Sequence, residues 1–227
     1  MALQHHNEVV LLLGAPGAGK GTQAHFLAET LGILDVASGD LLREHRERGT
    51  SLGRAAREYM DRGDLVPDDL VVDMIVDRLD QRDAAAGALL DGFPRTVAQA
   101  EALEVRLRQR DGRVRRAFYI DVPTQVLVDR LAGRWLCRDC QASYHEVFSP
   151  PAQHGRCDRC GGELYQRTDD QREVVANRVA VYLRDTLPVV ERYDCLGILV
   201  RVDGNQSIES VKAALLQAIA EDEAIPV

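Results

Sequence analysis

Lysine is nearly missing from this chain. Of 28 cationic side chains only Lys20 and Lys212 are lysines, and the other 26 are arginines. Aromatic residues make up 5%, with a single tryptophan. No apolar run approaches the roughly 20 residues of a bilayer-spanning helix. The opening stretch, "MALQHHNEVVLLLGAPG", has no cationic n-region and too short an apolar run for a signal peptide. Excess positive charge is also lacking: the formal net charge is -8, which argues against nucleic acid and anionic membrane as partners. A cytoplasmic, reduced location is therefore expected. What remains is a soluble globular composition, 45% hydrophobic and 28% charged. Its 227 residues suffice for one substantial core with length left over for insertions.

The chain alternates short apolar runs with helical stretches. "EVVLLL" (8–13), "ILDVA" (33–37), "GALLD" (87–91), "RAFYIDV" (116–122) and "ILVRVD" (198–203) read as buried parallel strands. A helix is expected from about Lys20 to Leu31, stopped by Gly32. Pro67, Thr96 and Pro123 open others. The fold class is thus α/β, a doubly wound five-stranded parallel sheet, whose ligands bind beyond the strand carboxyl ends. Residues 38–66 and 133–170 break the alternation and read as insertions on a core of 1–37, 67–132 and 171–227. His5 and His6 read as a mobile tail, and the C-terminal "AEDEAIPV" as a fraying end.

"GAPGAGKGTQ" (14–23) follows the first strand and opens the first helix. That arrangement points backbone N–H groups and a helix N-terminus at phosphate oxygens. Gly14, Gly17 and Gly19 permit the turn. Lys20 is the ammonium that reaches the β and γ phosphates, where a planar guanidinium would not fit. The usual Ser or Thr after this lysine is replaced by Gly21, and the first hydroxyl, Thr22, comes one residue late. The loop says that a nucleoside triphosphate binds and leaves open what happens to its phosphate.

Transfer to a second anion needs a second phosphate site and exclusion of water. "SGDLLR" (38–43) and "DGFPR" (91–95) offer Arg43 and Arg95, with Asp91 at the sheet's carboxyl edge. At this point the chain resembles the adenylate kinases. "GAPGAGKGTQ", "SGDLLR", "GDLVPDDLV", "DGFPRTVAQAEAL", "GRWLC", "QRTDD" and "VANRVAVY" occur in that family's order, from about Val9 to Val211. The resemblance implies ATP binding by Gly17, Ala18, Gly19, Lys20, Gly21 and Thr22. Arg130 would stack on adenine, Arg134 would meet phosphate, and Gln206 would touch the base. It implies AMP binding through Ser38 near adenine, Arg43 and Arg95 on the phosphate, Asp64, Leu65 and Val66, the Gly92-Phe93-Pro94 turn, and Gln99 reading the adenine edge. Arg167 and Arg178 would span both substrates' phosphates, and Asp91 would orient magnesium-bound water. In that family magnesium is held mainly by phosphates and waters, so the missing hydroxyl is no obstacle.

Cys137-Arg-Asp-Cys140 and Cys157-Asp-Arg-Cys160 are two C-x-x-C pairs at zinc-ribbon spacing, so a closed four-thiolate structural zinc is expected. Disulfides and unliganded thiols are the alternatives. The segment from Arg134 to Arg167 has few large apolar residues, among them Leu136, Val147, Phe148 and Leu164. A metal would have to fold it. The resemblance makes this segment a mobile lid, some members of the family carrying zinc at these positions. His145 reads as a hydrogen-bonding lid residue and not a ligand, and Cys195 as a buried small hydrophobe. The expected activity is reversible Mg-dependent phosphoryl transfer from ATP to AMP, giving two ADP. A kinase for UMP, CMP or GMP, a P-loop hydrolase or switch, and a zinc-ribbon nucleic-acid binder are the rivals. Against the last, Arg138, Arg156 and Arg159 in the ribbon are offset by Asp139, Glu146 and Asp158. A monomer is the family expectation.

Overall fold

The computed structural model describes residues 8–223. His5, His6 and the last four residues of the C-terminal tail lie outside them. Along the chain, β1 (Glu8–Gly14) leads into α1 (Lys20–Leu31), then β2 (Leu34–Ala37), α2 (Ser38–Glu47), α3 (Ser51–Arg62) and α4 (Asp68–Leu79). Next come β3 (Ala88–Asp91), α5 (Val97–Arg108), β4 (Arg113–Asp121) and α6 (Thr124–Ala132). Three short strands follow: β5 (Arg134–Cys137), β6 (Ser143–His145) and β7 (Leu164–Tyr165). The chain closes with α7 (Arg172–Val181), α8 (Leu187–Cys195), β8 (Leu199–Asp203) and α9 (Ile208–Glu223).

All five expected strands form, and they pair in parallel in the order β2-β3-β1-β4-β8. The central strand β1 is apolar without alternation because both its faces are covered, and Val9 to Leu13 are buried throughout. Its register matters for the site. Leu12 lies beside Asp91 of β3, and Gly14 beside Ile120 of β4, so the end of β3 flanks the start of the glycine-rich loop. The chain leaves β1 toward β2 on one side and reaches β4 on the other, which opens a crevice at the carboxyl ends.

Helix starts follow the sequence signals with one shift. Pro67 and Pro123 stand at the N-cap, one residue before the first helical position. Thr96 caps α5 by accepting from Gln99 N at 3.1 Å. The run through α7 and α8 is broken by one π-helical turn, Tyr182–Thr186. At the C-terminus α9 (Ile208–Glu223) takes in Ala220 to Glu223, and the rest of the expected fraying end lies outside the described residues. No helix among the described residues is long and apolar enough to cross a membrane.

Two departures have clear causes. Cys195 is exposed, because Val189, Val190 and Tyr193 take the core face of α8 and Cys195 is turned away from it. The second is in 133–170, where β6-β5-β7 form a small antiparallel sheet that sequence periodicity does not announce. Its own core is small: Cys137, Tyr144, Cys157 and Leu164, with Trp135 and Ala142 packed against it. Val147 and Phe148, two of its few large apolar residues, are exposed.

Candidate active site

The turn between β1 and α1 is built on glycine. Gly17 (φ +84°) and Gly19 (φ +93°) adopt left-handed backbone. At Gly17 a Cβ would stand 2.9 Å from Leu131 Cγ and 3.0 Å from the Leu127 carbonyl, so a side chain there would push the loop off α6. Lys20 Nζ donates to the Gly14 and Ala15 carbonyls at 2.9 and 3.1 Å, which holds the ammonium at the mouth of the loop. Burial lowers its pKa to about 8. Asp91 opposes that fall, and the positive charges of Arg95, Arg178 and Arg134 add to it. A Cβ on Gly21 would lie 3.7 Å from Asp91 Oδ2. The oxygen that stands next to the residue after Lys20 is therefore the Asp91 carboxylate. Burial raises the pKa of that carboxyl, against the pull of Lys20 and Arg95.

Around these two groups the fold gathers five arginines from four segments. Arg95 donates from Nε to the Gly92 carbonyl at 2.7 Å. Burial lowers its pKa to about 10, and Arg178 adds to the fall. Arg178 donates from Nη1 to Asp170 Oδ1 at 2.9 Å and pairs with Asp169 at 3.1 Å. Arg134 holds the same Asp170 through Nε and Nη2, at 2.9 and 2.6 Å. Arg43 pairs with Asp40, and Arg167 lies 3.6 Å from that carboxylate, its buried Nε without a hydrogen-bond partner. Burial also pulls the Arg167 pKa down to about 10, with Arg43 and Arg134 contributing. Burial would push the Asp169 carboxyl up, but Arg178, Arg167, Arg134 and Arg43 outweigh it and hold it below the usual range. Six cations thus face four carboxylates, Asp40, Asp91, Asp169 and Asp170. The surplus is positive and suits a polyanion.

Lys20, Arg43, Arg95 and Arg178 line one cavity, and so do Ser38, Leu65 and Gln99. The triphosphate loop and the second anion site therefore share a single cleft. Within it several expected residues are occupied by the protein itself. Ser38 Oγ donates to the Gly92 carbonyl at 2.8 Å, strapping the start of α2 to the turn after β3. Gln99 accepts from Arg95 N at 2.7 Å and donates to Asp68 Oδ1 at 2.8 Å. Asp64 is held by Arg62 Nε at 3.1 Å and Asn177 Nδ2 at 2.9 Å. The Phe93 side chain is fully buried in the core, so only its backbone can serve the cleft, as with the buried Ala18. Arg130 and Gln206 are engaged elsewhere. Arg130 donates to the Gly204 carbonyl at 3.0 Å, and Gln206 to Asp203 Oδ2 at 3.1 Å, where the β8–α9 turn approaches α6.

Sequence reasoning missed the residues that hold these groups. Asp169 and Asp170 stand two and three residues after Arg167 and were visible in "QRTDD" as acceptors for arginine. Asp68, which orients Gln99, and Thr186, which donates to the Arg95 carbonyl at 2.9 Å, carried no local signal.

The four cysteines of the C-x-x-C pairs come together with their sulfurs all within 4.8 Å. None forms a disulfide; Cys137 and Cys160 are 3.4 Å apart, and Cys140 and Cys157 3.5 Å. A tetrahedral zinc with bonds of about 2.3 Å would set its sulfurs about 3.8 Å apart, so the cluster fits a metal of that kind. The two halves are alike: Cys137 N donates to the Ala142 carbonyl and Cys157 N to Gly162, both at 2.9 Å. Left-handed Gln141 and Gly161 follow the second cysteine of each pair. Tyr144 accepts from Asp158 N at 2.7 Å, which directs its hydroxyl proton to Cys157 Sγ at 3.3 Å. His145 accepts at Nδ1 from Val147 and Phe148 N, and its Nε2 donates to the Asp129 carbonyl at 3.1 Å, fastening β6 to α6.

A glycine-tight phosphate loop and an arginine-lined second anion site in one cleft define a P-loop nucleoside monophosphate kinase. The family profile named adenylate kinase matches residues 12–198. A protein named adenylate kinase from Methanocella arvoryzae is 50% identical over 209 residues, 92% of this chain and 97% of that protein. Proteins of the same name from Geobacillus sp. and Archaeoglobus fulgidus are 49% and 47% identical, over 92% and 89% of this chain and 97% and 93% of their own length. The chain belongs to the adenylate kinase family.

Proposed function

We propose that this protein catalyses reversible transfer of the terminal phosphoryl group of ATP to AMP, giving two ADP. The observation that carries the reading is the shared cleft: Lys20 of the phosphate loop and Arg95, Arg43 and Gln99 of the second site line the same cavity. The AMP phosphate oxygen is already an anionic nucleophile, so no general base is required. Catalysis is then alignment plus charge neutralisation. Lys20 bridges the β and γ phosphates, and Arg95 and Arg43 hold the acceptor phosphate. Arg134, Arg167 and Arg178 neutralise the group in transit. Asp170 takes two of the five N–H donors of Arg134, which orients the guanidinium and leaves three others. Arg130 and Gln206 each bond to the β8–α9 turn, at Gly204 and Asp203, which supports a site there for the ATP base.

Asp91, beside Lys20, is the carboxylate that would hold the water shell of a magnesium ion brought with ATP, and that ion would supply charge neutralisation on the phosphates. Zinc suits the four thiolates, and a filled tetrahedral site makes it structural. Residues 38–66 form the AMP-binding insertion and 133–170 the lid, both closing over a core of 1–37, 67–132 and 171–227. The protein acts as a cytoplasmic monomer on ATP, AMP and ADP, with no nucleic-acid or membrane partner. The test is to supply purified protein with Mg·ATP and AMP, CMP, UMP or GMP in turn. Fastest diphosphate formation with AMP is expected, and turnover confined to another acceptor overturns the reading.

A further inference from the structure

Gln99 is 2% exposed and lines the cleft as a buried amide on the acceptor side. A glutamine amide is ambidextrous: turned through half a rotation, it exchanges its acceptor oxygen for its donor nitrogen. Adenine presents an amine donor next to the ring N1 acceptor. A 6-oxopurine of the same shape presents the reverse, an oxygen acceptor next to N1–H. A freely turning Gln99 would match both.

Two neighbours stop it turning. Arg95 N is only a donor, and it donates to Gln99 Oε1 at 2.7 Å. Asp68 Oδ1 accepts from Gln99 Nε2 at 2.8 Å, and a carboxylate only accepts. The Thr96 hydroxyl accepts from Gln99 N at 3.1 Å, so its own proton goes to Asp68 Oδ2 at 2.9 Å and pins that carboxylate in turn. Reversing the amide would set oxygen against carboxylate oxygen and nitrogen against N–H at these same short distances. Each anchor uses one of the amide's hydrogen-bonding positions and leaves one N–H and one oxygen lone pair in a fixed order.

We infer that Asp68 is a positioning residue for the acceptor base: by fixing the sense of the Gln99 amide, it makes the site select an adenine edge over a 6-oxopurine edge. The inference rests on the proposed reading of Gln99 as the group that faces the acceptor base. Asp68 also sits in the first turn of α4, where a carboxylate favours the helix electrostatically, so the test must separate the two roles.

The experiment compares kcat/KM for AMP and for inosine monophosphate in the wild type, Asp68→Asn and Asp68→Ser. Asparagine and serine both suit a helix start, but each can donate as well as accept, so the Asp68 half of the lock is lost and Arg95 N alone opposes the turn. The wild type should prefer AMP strongly, and both variants should narrow that preference about 10- to 100-fold, the usual scale for a misdirected buried hydrogen bond. Equal loss with both acceptors overturns the inference and leaves Asp68 a helix-start residue. A measurement on the wild type needs no variant to fold: the Gln99 side-chain amide protons should exchange with solvent far more slowly than those of exposed Gln153. Equal rates would also overturn it. A wild type that does not phosphorylate AMP defeats the adenylate reading itself, whereas AMP turnover with an unmoved AMP-to-inosine ratio defeats only the lock.

Discussion

Lys20 sits where its charge is needed and where burial opposes that charge. Its pKa of about 8 lies inside a practical pH range. As pH rises through that value the ammonium loses its proton, and with it the bridge between phosphates. For the free enzyme, kcat/KM for ATP should therefore fall with a single ionisation near pH 8, and a profile flat to pH 10 would contradict the placement. Asp35 has the opposite fault. Its Oδ1 is buried without a hydrogen-bond partner. Burial first and the nearby Asp91 charge second raise its pKa to about 6; His25 pulls the other way, and Asp40 adds a smaller push upward. The folded value lies above the unfolded one, so the stability linked to the neutral acid is complete below about pH 4 and is lost as pH rises through about 6. Asp35→Asn should raise the melting temperature by roughly 2–4 °C at pH 8, corresponding to about 1 kcal/mol after allowance for partial exposure. The gain should vanish at pH 4, and melting curves across that window decide it. The phosphate loop and "DGFPR" were legible because spacing alone defines them. Asp68 and Thr186 were not, since each acts on a residue far along the chain: Gln99 is 31 positions from Asp68, and Arg95 is 91 from Thr186.

At the scale of elements, the five core strands were readable because each is a short, mostly apolar run between helical stretches; β1 and β3 are buried on both faces, the edge strands β2 and β8 only in part. The strands of 133–170 were not. They are two to four residues long, and their shape comes from two cysteine turns closing on a common point. That origin has a consequence for stability. A cluster of two buried cysteines, one tyrosine and one leucine is too small to hold three strands and the loops between them, so metal binding supplies what apolar burial does not. Stripping the metal with a chelator should lower the melting temperature and loosen this element, while the five-stranded core keeps its secondary structure. Cysteine reactivity reads the change directly. Of five cysteines, only exposed Cys195 should react quickly in the metal-loaded protein, and all five should do so after chelation. Five fast thiols before any chelator is added would show that the cluster holds nothing.

For the whole molecule, the notable contrast is between a net charge of -8 and a cleft with surplus positive charge. The exterior contributes nothing to attracting nucleotides, so affinity must come from the short-range, desolvated contacts of Lys20 and the arginines. A molecule that spans both sites engages them all together. Two adenosines joined end to end through a chain of phosphates should therefore bind much more tightly than ATP or AMP alone, because the second site is reached without a second loss of translational freedom. At a thousand times its dissociation constant such a ligand stabilises the fold by about 4 kcal/mol. For a domain of this size that corresponds to a melting temperature roughly 10 °C higher. Arg95→Ala removes a cleft side chain whose guanidinium makes one hydrogen bond within the protein, to the Gly92 carbonyl, so the fold should survive its loss. In that variant the shift produced by ATP alone should persist, while the additional shift from the two-headed ligand should largely disappear. If Arg95→Ala leaves the two-headed ligand's extra stabilisation intact, the acceptor phosphate does not lie at Arg95, and the in-line arrangement built on it fails.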